Sequence, residues 1–159
     1  EIAQDLVARA LALGEVKVDD RAHAAEHSLE VHVPFLQVVL ESFRLAPFAV
    51  GAASRDEVAE VLDRVWGHDE TLIVVSSDLS HYYDYATAKR LDEATATAIE
   101  ALDADAIGEE QACGRVPVRG LLEVARRRRM HAHTLDLRSS GDTAGTRSEV
   151  VGYGAWAIG

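Results

Sequence analysis

Apolar positions recur along the chain in blocks whose spacing assigns most of the secondary structure. Ile2, Leu6, Val7, Ala10, Leu11 and Leu13 keep helical spacing until Gly14, a residue suited to ending helices because it tolerates left-handed backbone. Residues 16–20 read as a short extended piece or loop. From Glu26 onward the chain turns apolar. Leu29, Val31 and Val33 alternate as in a strand, whereas Leu36, Val39, Leu40 and Phe43 are spaced as in a helix. Pro34 suits the first turn of that helix, where its missing N–H does no harm. One longer helix kinked at Pro34 is the alternative. Residues 45–50 form a short strand candidate. Ser54 followed by Glu57 spells a capping box. The helix it opens carries Val58, Val61, Leu62 and Val65 and ends at Gly67, with His68 as its C-terminal cap.

The run Thr71-Leu72-Ile73-Val74-Val75 is the clearest strand signal. It is β-branched and apolar on both faces, the pattern of a central strand covered on both sides. Residues 84–102 predict a long Ala-rich helix, and Asp103 or Asp105 caps a short one. A further helix spans 117–129, with Val118, Leu121, Leu122 and Ala125 on its apolar face. Residues 132–137 alternate as a strand. Residues 139–147 form a polar loop with glycine. Residues 150–158 are a last strand of small side chains, where Gly152 and Gly154 imply close backbone packing. Strands alternating with helices define an α/β class, expected to hold a mixed central sheet flanked by helices. No linker, repeat or low-complexity tract divides residues 1–159, which read as one domain.

Composition adds boundaries to this picture. Apolar residues make up 48% of the 159 and charged residues 27%, the balance of a folded domain rather than a disordered one. The longest apolar run is too short to span a bilayer. A net charge of −11 opposes nucleic acid and anionic membranes as general partners. Cys113 is the only cysteine, so no intrachain disulfide forms and a reducing cytoplasm fits best. The chain opens at Glu1 inside a helical pattern with no initiator Met; residues upstream are expected.

Candidate chemistry gathers where the 71–75 strand ends, at Ser76-Ser77-Asp78-Leu79-Ser80-His81. Ligands of open α/β sheets bind beyond the carboxyl ends of strands. There Asp78 and His81 can orient one another, and an imidazole can move a proton near neutral pH. Ser76 and Ser77 read as turn and cap residues. Cys113 sits in a tight turn at a helix start, where a thiolate would be stabilised by the N-terminus and Arg115. Plain packing is the alternative. His23-Ala24-Ala25-Glu26-His27 spells H-x-x-E-H, which on a helix would set two histidines on one face for zinc, with Glu26 polarising water. His131 and His133 share a strand face and read either as metal ligands or as a solvent-facing edge pair. Arg126 to Arg129 complement a helix C-terminus as a solvated face.

Taken in order, several segments resemble one family. They are Glu26-His27-Ser28-Leu29-Glu30 with Pro34-Phe35-Leu36; Ser76 to Tyr82; Ala112-Cys113-Gly114 with Pro117; Ser140-Gly141-Asp142; and Val150-Val151-Gly152-Tyr153. In this order and spacing they are similar to the Memo family, also called AmmeMemoRadiSam system protein B. The resemblance implies a fold like that of the class III extradiol dioxygenases, which cleave catechol rings with non-haem iron. It implies a metal site with two histidines from the N-terminal half and one cysteine from the C-terminal half. Cys113 matches that cysteine. His81 matches the histidine close to the metal that serves as acid and base in the related dioxygenases, and Asp78 precedes it as in the family. Glu26 and His27 fall in a motif near the cleft.

None of the seven histidines aligns with the two metal histidines, so the chain is expected to be a C-terminal portion carrying one side of a metal-dependent redox cleft. Imidazole plus thiolate suits iron or copper, and also zinc. AMMECR-type and radical SAM proteins are the partners the family name implies. The alternatives are a non-catalytic module that binds a peptide or small anion, and a zinc hydrolase on His23, Glu26 and His27.

Overall fold

The computed structural model describes residues 1–67, 70–143 and 145–159; the expected cap at His68 lies outside them. Helices α1 (Gln4–Leu11), α2 (Asp20–His23) and α3 (Val33–Val39) come first, then α4 (Arg55–Val65). Strand β1 (His81–Tyr83) leads into the long α5 (Tyr85–Glu100). A 3₁₀ turn (Ala104–Ala106) precedes α6 (Arg115–Arg128), and β2 (Ala132–Ser139), the one-turn α7 (Ser140–Thr143) and β3 (Val150–Ile158) close the chain.

Local signals explain the helices that formed as expected. Ser54 Oγ accepts the Glu57 N–H while the Glu57 carboxylate accepts the Ser54 N–H at 2.7 Å, so two otherwise orphaned donors open α4. Asp84 accepts the N–H groups of Ala86 and Thr87 at the head of α5. Pro34 lies in the first turn of α3, and no kinked longer helix forms. Residues 29–32 are turns leading into that helix, which Val33 opens, and none of them forms a strand.

The sheet has the order β1-β3-β2 and both pairings are antiparallel. The mixed sheet expected from the sequence is therefore an antiparallel one among the described residues. β2 and β3 pair along their length, from Ala132 opposite Ile158 to Ser139 opposite Gly152. Residues 45–50 contribute one isolated parallel bridge, Leu45 to Ile2. Residues 71–75 form no strand. A central strand exists only when neighbours complete its ladder, and no described strand lies beside this run; Leu72 stays 71% exposed.

The core lies between α5, α6 and the β2–β3 hairpin. Ala98, Ile99, Ala104, Ile107, Ala112 and Leu122 cluster there, with Trp156 and Ile158 packed against them. Ile107 and Leu122 are fully buried, so truncating either to Ala costs about 2–5 kcal/mol. Of the arginines expected to be a solvated helix end, Arg127 and Arg128 bind another element, while Arg126 pairs within its own helix. Arg126 and Arg127 pair with the buried Glu123, Arg127 reaches Asp56, and Arg128 reaches Asp63. Arg128 also stacks 4.3 Å above the Trp66 ring. These contacts clamp α6 to α4.

Candidate functional site

The segment from Ser76 to Tyr83 is held from beneath by its buried members. The Leu79 N–H donates to the Gly152 carbonyl and the Gly152 N–H to the Ser80 carbonyl, both at 2.9 Å. The Ser80 N–H donates to Asp92 Oδ1 at 3.0 Å. Asp92 projects from α5 and is itself buried, and burial pushes its carboxyl above the ordinary aspartate range. Gly152 is required here: a Cβ on it would fall 2.0 Å from Asp92 Oδ2.

On this base the flanking residues turn outward. Asp78 Oδ2 lies 3.7 Å from His81 Nε2, with the two side chains 51% and 33% exposed. That is an ion-pair separation longer than a hydrogen bond. His81 pairs with Val151 and Tyr83 with Val150, and the register shifts between them. The residue between, Tyr82, takes a φ of 61°, a left-handed conformation costly for an aromatic residue. Its ring stands edge-on to His81 with centroids 5.7 Å apart.

Cys113 comes to the same place from the loop before α6. Its N–H donates to the Asp78 carbonyl at 3.2 Å, and the Asp78 N–H donates to Cys113 Sγ at 3.2 Å. Ser77 Oγ accepts the Gly114 N–H at 2.9 Å and lies 3.7 Å from Sγ. The loop is braced on its far side as well. Tyr83 donates its phenolic proton to Glu110, and Gln111 donates to the buried Thr95 of α5 at 3.0 Å. The thiol is exposed. Arg115, expected to favour a thiolate, is engaged with Glu109 at 2.7 Å.

The structure thus brings Asp78, His81 and Cys113 together around one residue, Asp78. Glu26 and His27 are not joined to them by any bond among the described residues. Glu26 Oε1 accepts the Ser28 N–H at 2.8 Å, a bond that holds its carboxyl below the usual range, and His27 is exposed. The residue of that region that reaches the 76–83 segment is His32, whose Nε2 lies 2.9 Å from Ser76 Oγ. Sequence spacing carries no signal for it, because its partner is 44 residues away.

The helix that H-x-x-E-H needs does not exist, since α2 ends at His23. His131 and His133 are exposed at the free edge of β2, the arrangement of an edge pair. Ser140-Gly141-Asp142 is structural. Asp142 accepts the Ser139 N–H at 2.8 Å and the Tyr85 hydroxyl at 2.6 Å, and Ser140 Oγ accepts the Val151 N–H. Among the described residues no three His, Cys, Asp or Glu side chains converge into a cation cage. For a metal, these residues offer the Cys113 sulfur and no closed ligand set around it.

A small antiparallel sheet with helices, carrying an Asp–His–Cys cluster at one strand end, is the class of protein the geometry defines. The family model for Memo-like protein matches residues 1–157, and the chain belongs to that family. It is 31% identical to a MEMO1 family protein of Sulfolobus acidocaldarius, over 87% of this chain and 53% of that protein. A MEMO1 family protein of Metallosphaera sedula is 32% identical, over 96% of this chain and 59% of its own length. One from Aeropyrum pernix is 34% identical, over 89% and 55%. The chain therefore spans little more than half the length of the curated relatives it matches.

Proposed function

We propose that this chain carries one wall of a metal-dependent, dioxygenase-like redox cleft of the Memo family. The carrying observation is that Asp78 touches both reactive groups. Its main chain holds Cys113 through two 3.2 Å contacts, and its carboxylate faces His81 at 3.7 Å. In this reading Cys113 supplies a thiolate ligand and His81 accepts or returns a proton at Nε2, oriented by Asp78. The remaining ligands come from polypeptide that the longer relatives carry and this chain does not match. An iron or copper ion bound by imidazole and thiolate would supply Lewis acidity and one-electron chemistry. Glu26 and His27 remain proposed cleft residues on the family resemblance alone, as do the extradiol dioxygenase-like fold, the cytoplasmic location, and the AMMECR-type and radical SAM partners. Among the described residues no helix is long and apolar enough to cross a membrane.

The test is iron and copper content in a fusion of this chain with the unmatched portion of the Metallosphaera sedula relative, against the same fusion with Cys113→Ala. Loading that falls at least tenfold in the variant is expected; equal loading removes the ligand role. The solvent-open Asp78–His81 pair also suits a second reading, a module that binds a peptide or small anion without turnover. His81→Ala decides between them: loss of oxygen-dependent turnover supports the first, and weaker ligand binding with no turnover in either form supports the second.

A further inference from the structure

A cavity of about 440 Å³ opens between helix α5 and the C-terminal half of β2, a volume suited to one small molecule. Asp92 of α5 and Ser139 of β2 form part of its wall, and Asp92 is only 3% exposed. None of Asp78, His81 and Cys113 lines it.

The polar groups around the cavity are matched with one exception. Asp142 accepts the Tyr85 hydroxyl with one oxygen and the Ser139 N–H and hydroxyl with the other. Arg138 meets Asp136 at 2.7 Å, and Lys89 meets Glu93 at 4.0 Å. Asp92 gives Oδ1 to the Ser80 N–H, but Oδ2 accepts no hydrogen bond among the described residues. The carboxyl occupies the space that the missing side chain of Gly152 leaves, and the N–H of that glycine is committed to the Ser80 carbonyl.

A buried carboxylate without a counter-charge is costly, and burial accordingly pushes the Asp92 carboxyl upward. A cation reaching Oδ2 would offset that cost. The wall sets the carboxylates of Asp92, Glu93, Asp136 and Asp142 against Lys89 and Arg138, a balance that favours a positive ligand. A metal ion is disfavoured, because no three His, Cys, Asp or Glu side chains converge among the described residues. A guanidinium fork asks for two free oxygens, and Asp92 has one. A quaternary ammonium asks for open aromatic faces, and Arg147 already stacks 4.4 Å from the Tyr85 ring centroid. A primary ammonium is a compact charge that a single free oxygen can hold.

We propose that this cavity binds a small organic cation through a primary ammonium seated on Asp92 Oδ2. The inference is independent of the metal reading, and failure of either leaves the other standing.

Backbone amide NMR titration with n-butylammonium tests it, with butyrate and n-butanol as probes of opposite charge and no charge. Butylammonium is expected to shift the Ser80, Asp92 and Ser139 amides saturably at millimolar concentration, while butyrate and butanol leave them in place. Asp92→Asn weakens binding at least tenfold. Lys89 has a side chain 61% exposed, so Lys89→Glu keeps the fold. It removes a competing cation and tightens butylammonium binding several-fold. Lys17→Glu makes the same charge change at an exposed residue outside the cavity wall and leaves the affinity unchanged. Absence of a saturable shift up to about 50 mM overturns the proposal. Tighter binding of butyrate overturns it in favour of an anion held by Lys89 and a protonated Asp92. Undiminished affinity in a folded Asp92→Asn overturns it too. Should Asp92→Asn fail to fold, Lys89→Glu decides: an affinity no tighter than that of Lys17→Glu overturns the proposal.

Discussion

Asp78 and Cys113, 35 residues apart in the chain, hold one another by a reciprocal pair of contacts: N–H to carbonyl at 3.2 Å in one direction and N–H to Sγ at 3.2 Å in the other. The sulfur is thereby fixed relative to the Asp78 carboxylate, and through it to His81, although all three side chains are open to solvent. Such a contact depends on the loop before α6 lying flat against residues 76–78.

Gly114 is what lets it lie flat. A Cβ there would stand 2.7 Å from the Ser76 carbonyl and 2.8 Å from Ser77 Cβ, both parts of the main framework rather than mobile side-chain tips. Gly114→Ala is expected to destabilise the protein by about 1–3 kcal/mol and to release Cys113 from the Asp78 N–H. Urea denaturation measures the first effect. The rate of Cys113 modification by a thiol reagent measures the second, and it should rise. An unchanged thiol rate with full stability would show that the loop accommodates the methyl group elsewhere.

What the sequence made legible was local. The capping box of α4, the Asp84 cap of α5 and the alternation in β2 each involve residues within a few positions of one another, and each formed. The composition of residues 71–75 spells a strand, but a strand is completed by partners, and composition does not say whether partners lie beside it. The bond between His32 and Ser76 leaves no trace in sequence spacing, because it spans 44 residues. The arginines after Glu123 looked like a solvated helix end because Asp56 and Asp63, which receive them, belong to a helix 65 to 71 residues earlier. The tight turn at a helix start marks Cys113 as a candidate, but nothing in its own neighbourhood points to Asp78.

Asp92 predicts a pH dependence. Its folded-state carboxyl is pushed up by burial, against weaker opposing effects from Ser80 and His81. A raised carboxyl pKa means the fold favours the protonated form. That contribution is complete below the unfolded value of about 3.9 and is lost as pH rises through the raised folded value. Asp92→Asn keeps an oxygen to accept the Ser80 N–H but cannot ionise. The wild type is therefore expected to lose stability relative to Asp92→Asn as pH climbs above about 4. Urea midpoints of both proteins between acid and neutral pH check this; curves that run parallel would contradict it.

Glu123 predicts the opposite slope. It is buried at 7% side-chain exposure, and its carboxyl is held below the usual range first by the Arg126 hydrogen bond and then by Arg127. Its contribution is complete above the unfolded value of about 4.3 and is lost as pH falls through the lowered folded value. Glu123→Gln should cost about 1–2 kcal/mol near neutral pH, less than a fully buried pair because both arginines are partly solvated. The difference from wild type should shrink in acid. Differential melting across that pH range reads it.

Tyr82 offers a test of whether backbone strain serves the strand end. Its φ of 61° disfavours any side chain with a Cβ by about 1–2 kcal/mol, and at 74% exposure little burial repays it. Glycine would relieve that strain while losing about 0.4–1 kcal/mol to the greater freedom of the unfolded chain. Tyr82→Gly is therefore expected to stabilise the protein by about 0.5–1 kcal/mol, a rise of roughly 1–4 °C in melting temperature for a chain of this size. The same change removes the ring that stands edge-on to His81. A protein that gains stability but in which His81 loses its fixed setting, read as averaged imidazole NMR shifts, would show that the strain keeps His81 in place. A gain in stability with the His81 signals unchanged would mean that the pairing of His81 with Val151 sets the imidazole, and that the Tyr82 side chain is dispensable to it.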